Sequence, residues 1–213
     1  MRYALIVVYF SPSNTSAAIQ MGDLAQELRM LSHDVLVITP SHKIKKNWEL
    51  DQHNGIEILR LRSLPAKGIS YFKRAVNESL IPMIMIYRYL QSSKNMQRFD
   101  GVIWYSPTIF FGLFAFFLKI KCKCKGYLIL RDIFPEWAKD LGLIKNKLIY
   151  KYFKIVANLQ YWIADTIGVQ AISNIVYLKN WSNKKRKIEV LNNWLAQKPV
   201  LLNSINIKKT LLS

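Results

Sequence analysis

The chain has 213 residues, 51% of them hydrophobic, and a formal net charge of +18 at pH 7. That much apolar material fills the core of one large domain or two small ones and excludes a disordered chain. The charge points to an anionic partner (nucleic acid, an anionic membrane face or phosphorylated ligands) unless it only decorates an ordinary surface.

Tyr3 to Phe10 reads as a buried strand. Ser11 to Ser16 is a loop of small polar residues, and Ala17 to Leu31 a helix with apolar residues at Ile19, Leu24, Leu28 and Leu31. His33-Asp34 closes the connection to a second strand, Val35 to Thr39. This unit has the length that a right-handed crossover needs. Ser41 to Asn54 is polar and charged and reads as a loop, and Glu57 to Arg62 as a strand of imperfect alternation. Ser70 to Gln91 reads as a helix that Pro82 kinks or splits. Gly101 to Tyr105 is another buried strand, ending at Ser106-Pro107, and Thr108 to Lys119 is an apolar helix. Gly126 to Leu130 is a strand that runs into Arg131-Asp132. Helices are expected at Pro135 to Leu141, Lys147 to Ala164 and Ser173 to Lys179, with strands at Thr166 to Gln170 and Ile188 to Leu191. This alternation predicts an α/β fold, a Rossmann-like, doubly wound, mostly parallel sheet with helices on both faces. Residues 1–195 form that domain; 196–213 lack strong periodicity and read as a linker or the start of a further domain.

The apolar start has no small-residue cleavage site, so no signal peptide is expected. No apolar run reaches the length of about eighteen residues that a spanning helix needs, and the chain reads as cytoplasmic. Cys122 and Cys124, read as neighbours on a strand, cannot easily close a disulfide on each other. With His33, His42 and His53 as the only histidines, no zinc set forms; neither a metal nor a cofactor is expected.

The most informative stretch is Leu128 to Ile144, LILRDIFPEWAKDLGLI. Its apolar run stops at Arg131-Asp132, where groups just beyond the carboxyl end of a strand line a site in open α/β sheets. Pro135 suits the first turn of the next helix. Together with the YSP turn at Tyr105 to Pro107, GVQAIS at Gly168 to Ser173 and KIEVLNNW at Lys187 to Trp194, this order resembles the N-terminal half of family 4 glycosyltransferases. It is most similar to the bacterial branch that builds O-antigen, capsule and colanic acid. The resemblance covers roughly Met1 to Trp194, and Arg-Asp-x-x-Pro-Glu is its most specific piece.

The resemblance implies a GT-B architecture, two Rossmann-like domains facing each other across a cleft, with retention of anomeric configuration. The N-terminal domain binds the acceptor. The second domain, with its paired glutamates, binds most of the nucleotide-sugar donor. The chain ends about where the interdomain linker would begin, which implies a fragment, a frameshifted remnant or one subunit of a split enzyme, inactive or weakly active alone. Asp132 is the candidate catalytic residue, taking a hydrogen bond or a proton from the acceptor hydroxyl. Arg131 is a bidentate phosphate ligand, with Glu136, Ser106 and Thr108 beside it as substrate-binding residues. The bland readings are an intramolecular ion pair, a helix cap by Asp132, a dipole partner in Glu136, and helix capping by Ser106 and Thr108. Asn14, Thr15 and Ser16 sit where the family carries phosphate-approaching glycines. This loop has no glycine, and a simple helix cap by Asn14 or Ser16 is the alternative.

Ser70 to Arg88 mixes aromatic, aliphatic and basic residues and reads as contact with an anionic membrane. The Phe-rich stretch Ile109 to Leu118 reads as core. The leading expectation is therefore a transferase half, peripheral on the inner face of the plasma membrane, with a nucleotide-sugar donor and a lipid-linked saccharide acceptor. The competing one is a non-catalytic basic module for a partner protein or nucleic acid, although no nucleic-acid-binding motif is present and no nucleic acid is expected.

Overall fold

A computed structural model of the chain describes residues 1–65, 68, 70–181 and 186–194, with Tyr71 and Phe72 described by their backbone alone. The expected tail, 196–213, lies outside the described residues. Eight strands form one sheet: β1 (Arg2–Ile6), β2 (Asp34–Ser41), β3 (Trp48–His53), β4 (Ile56–Arg62), β5 (Gly101–Ser106), β6 (Lys125–Leu130), β7 (Thr166–Val169) and β8 (Lys187–Val190). Their order is β3-β4-β2-β1-β5-β6-β7-β8. Every described pairing is parallel except β3 with β4. Among the described residues the α-helices are α1 (Ser16–Met30), α2 (Tyr71–Gln91), α3 (Gly112–Cys122), α4 (Glu136–Asp140) and α5 (Lys147–Ile163). The Rossmann-like, doubly wound reading holds.

Side-chain alternation along the strands builds two cores. Leu5, Val37, Ile58 and Ile129 pack with Met21 and Ala25 of α1 on one face. Ala4, Ile6, Ile38, Trp104, Leu128 and Leu130 pack with α2, α3 and α5 on the other. The chain moves one way from β1 to β2 and β4, then α2 carries it back to β5 on the other side of β1. The strand order therefore reverses between β1 and β5, the place beyond whose carboxyl ends doubly wound sheets bind their ligands.

The sequence reading needs local corrections. The first strand stops at Ile6, four residues before Phe10, because the chain turns off the sheet into the β1–α1 loop. The stretch 41–54, expected as loop, contains the edge strand β3. Asn54 and Gly55, with φ of 49° and 75°, make the tight turn that pairs β3 back on β4. In α1, Ala18, Met21 and Ala25 are buried and Leu24 and Leu28 pack partly against the core, while Ile19 and, at the cap, Leu31 are exposed. Helix α2 runs unbroken through Pro82. The Phe-rich helix begins as a 3-10 turn, Ile109–Phe111, and Phe110, Phe111 and Phe114 are core as expected. Residues 172–181 are a 3-10 helix, not an α-helix. Cys122 closes α3, and left-handed Lys123 separates it from Cys124, so the two are not neighbours on a strand.

Candidate functional site

The carboxyl edge of the sheet carries the β1–α1 loop, the turn after β5, the Arg131-Asp132 corner after β6 and the segment Leu191–Trp194 after β8. Three groups fix the loop. Thr39 Oγ1 donates to Val8 O at 3.1 Å. Arg60 donates to Ser11 O while held by Asp51 of β3 at 3.0 Å. Thr15 Oγ1 accepts from Ala18 N at 3.3 Å and caps α1. Thr15 is thus the helix cap, the role assigned beforehand to Asn14 or Ser16. Asn14, on the loop, and Ser16, the first residue of α1, are exposed at the positive end of that helix.

Arg131 is the unusual group at this edge. It is 8% exposed. Its Nη1 donates to Leu191 O at 3.3 Å. Its guanidinium lies 4.8 Å from the centre of the Trp194 ring and 6.0 Å from that of Tyr105. Trp194 is anchored in turn: its Nε1 donates to Gln20 O at 3.2 Å, and Gln20 Nε2 donates to Asn193 Oδ1 at 3.4 Å. Nε and Nη2 of Arg131 are buried and have no hydrogen-bond partner among the described residues. They form one edge of the guanidinium fork, two parallel N–H groups spaced to take a carboxylate or phosphate side-on. Burial lowers the Arg131 pKa, with Tyr105 opposing. A buried charged donor pair left empty is costly, so an anion seated there relieves a penalty already present in the fold.

Asp132 follows Arg131 just beyond the end of β6. Neither bland reading describes it. No ion pair among the described residues joins it to Arg131. The N-cap position of α4 is Pro135, with no side-chain cap. The Asp132 side chain is exposed at the carboxyl edge, yet neighbouring protein desolvates the carboxyl enough to raise its pKa, with Arg131 opposing.

The other candidates are occupied. Glu136 is ion-paired with Lys154 of α5, leaving its Oε2 without a partner among the described residues. Ser106 is 1% exposed; its hydroxyl donates to Thr108 O at 3.3 Å and accepts from Gln160 Nε2 at 3.4 Å. Thr108 Oγ1 accepts from Phe110 N at 3.4 Å and caps the 3-10 turn. Ser106 and Thr108 therefore brace the β5 corner. Trp194, Tyr105 and Gln20 were not singled out as site residues. The KIEVLNNW ending was the available signal for Trp194, and nothing marks Gln20. Among the described residues, no group of three or more His, Cys, Asp or Glu side chains is placed to hold a metal.

Comparison with solved structures finds glycosyltransferases. A sucrose-phosphate synthase from Thermosynechococcus elongatus gives a TM-score of 0.58 at 13% identity, covering 91% of this chain and 90% of that one. An E. coli trehalose-6-phosphate structure bound with UDP-2-fluoro glucose gives 0.59 at 10% identity, over 89% of this chain and 48% of that one. A UGT transferase from Siraitia grosvenorii in complex with UDP gives 0.54 at 11% identity, over 99% and 54%. The chain spans about half the length of these last two. No protein-family model matches the chain, and no curated protein matches it in sequence. At such identities the likeness shows the fold, a Rossmann-like domain of the kind that GT-B glycosyltransferases carry.

Proposed function

We propose that this chain is the acceptor-side domain of a retaining, family 4 type glycosyltransferase that moves a sugar from a nucleotide-sugar to a lipid-linked saccharide. The setting is surface-polysaccharide synthesis (O-antigen, capsule or exopolysaccharide) at the inner face of the plasma membrane. Residues 1–195 form this domain and 196–213 a linker or the start of a donor-binding domain, and activity requires the donor contacts of that second domain. The empty fork edge of Arg131 carries this reading. A lipid-linked saccharide presents a diphosphate, the ligand that a buried two-donor edge fits. Trp194 gives a sugar or diphosphate a flat wall beside the cation. Asp132, with its raised pKa, accepts the hydrogen bond of the acceptor hydroxyl and orients its oxygen for attack. Asn14 and Ser16, at the α1 terminus, face phosphate arriving from the donor side.

Calorimetric titration with a polyprenyl-diphosphate saccharide in mild detergent tests it. Arg131→Met removes two charge-assisted hydrogen bonds worth about 1.5–3 kcal/mol each, so affinity is expected to fall at least tenfold. Equal affinity of the two proteins overturns the assignment. Paired with a donor-binding domain, the protein is expected to yield product that keeps the donor's anomeric configuration, read by NMR; inverted product overturns the family 4 reading.

A further inference from the structure

Helices α2, α3 and α5 cover one face of the sheet, and each is apolar on its outward side as well as its buried one. Helix α2 buries Ile81, Met85 and Tyr89 and exposes Val76, Leu80, Met83 and Tyr87, with Met83 59% exposed. Helix α5 buries Ala157 and Tyr161 and exposes Leu148, Tyr152, Ile155 and Trp162, with Leu148 77% exposed. Between α2 and α3 runs a groove lined by Met83, Ile86, Leu113, Phe116, Phe117 and Ile120. Lys121 stands at its rim. The ring of Trp162 lies 5.9 Å from that of Phe116, and Ser79 and Tyr152 share a 2.6 Å hydrogen bond. The three helices thus present one continuous outward surface. Soluble monomers rarely leave a contiguous apolar area of this kind uncovered.

Charge decides among the occupants. These helices carry eight basic residues, Lys73, Arg74, Arg88, Lys119, Lys121, Lys147, Lys151 and Lys154, and one acidic residue, Glu78. Glu78 is paired with Arg74, Lys119 with Asp165 and Lys154 with Glu136, which leaves Lys73, Arg88, Lys121, Lys147 and Lys151 without an acidic partner among the described residues. A second copy laid on this face would oppose like charge to like. An anionic bilayer accepts both features, with apolar side chains entering the acyl region and long basic side chains reaching back to the headgroups. Tyr87, Tyr152 and Trp162 suit the boundary between the two. We infer that the α2–α3–α5 face docks the protein on an anionic bilayer, and that the groove between α2 and α3 seats one lipid hydrocarbon chain. This deepens the proposed function and rests on it for placing the acceptor at a membrane. It also widens the expected contact from one helix to three. Each helix begins near the carboxyl edge, so docking brings the Arg131 corner to the membrane with it.

The test is sedimentation of the whole chain with phosphatidylcholine vesicles, with and without phosphatidylglycerol. Binding is expected only with the anionic lipid and is expected to fall with salt. Met83→Glu with Tyr87→Glu, both at exposed positions, is expected to weaken it tenfold or more. Ile19→Glu, on the exposed side of α1, is expected to leave it unchanged, and circular dichroism checks that each variant folds. Phosphatidylglycerol with brominated acyl chains is expected to quench tryptophan fluorescence, with the effect reduced in Trp162→Phe. Equal binding to neutral and anionic vesicles, indifference to the α2 variants, or a dimer that those variants dissolve would overturn the inference. The vesicle assay does not involve Arg131. Lost docking with intact diphosphate affinity sinks this inference alone; intact docking with no Arg131-dependent diphosphate binding sinks the transferase reading alone.

Discussion

At the scale of single residues, the two neighbours at the end of β6 hold opposite electrostatic positions. Arg131 is a buried cation whose Nε and Nη2 have no partner among the described residues, so its burial is only partly offset by Leu191 O and the rings of Trp194 and Tyr105. Arg131→Met is therefore expected to keep or raise the unfolding midpoint in urea while removing anion affinity, because a buried unpaired charge gives way to an apolar group of similar length. A midpoint clearly below wild type would show that the guanidinium serves packing. Asp132 carries a raised pKa, and the sign of its linkage follows from that direction. The native state favours the protonated form, so the charged form burdens stability above the folded pKa, and the burden lifts as pH falls. Asp132→Asn is expected to be at least as stable as wild type at neutral pH. In an assembled two-domain enzyme it is expected to lower turnover ~100-fold. The wild-type rate is expected to decline as pH falls through a value above that of an ordinary aspartate, a limb that the Asn variant lacks. A pH–rate profile with the same acid limb in both proteins removes Asp132 from the mechanism.

At the scale of elements, small residues govern how the helices meet. Gly112 opens α3 against α5. A Cβ there would fall 2.8 Å from Gln160 Cβ and 3.0 Å from its Cα, and backbone cannot move aside cheaply. Gly112→Ala is expected to cost about 1–3 kcal/mol in denaturant unfolding. Thr15→Ala, which removes the cap of α1, is expected to cost about 1 kcal/mol. Elements whose pattern comes from burial were legible in the sequence. The continuous apolar runs of β1, β5 and β6 and the length of α2 came within a few residues of their observed bounds. Strand β3 was missed because an edge strand owes its pairing to one neighbour and needs no apolar run. Its sequence, WELDQH, reads as surface, and the Asn54-Gly55 hairpin signal was the clue available. The 3-10 helix at 172–181 was called α because apolar spacing separates helix from strand better than it separates the two helix types.

At the scale of the whole molecule, the Rossmann-like domain by itself has limited means to hold a nucleotide-sugar. The α1 terminus offers a dipole term of ~0.3–2 kcal/mol, against lost ligand freedom of at least ~4 kcal/mol. Affinity for UDP- and GDP-sugars is expected to be millimolar or weaker by calorimetry; a micromolar constant would mean that the chain binds donor without a second domain. The order of apolar strands and amphipathic helices is a local property of the chain, set by which side chains avoid water. It therefore specified the α/β class, the direction of the crossovers and the strand end where Arg131 and Asp132 lie. Which polar groups remain unpaired is not local. Ser106 and Glu136 read as ligand contacts until the fold brought Gln160 and Lys154 against them, and Arg131 became a buried cation with an unpaired donor edge only where Trp194, Leu191 and Tyr105 surround it. Those partners lie far along the chain, and hydrogen bonds and ring contacts over such separations exist only after the sheet has assembled.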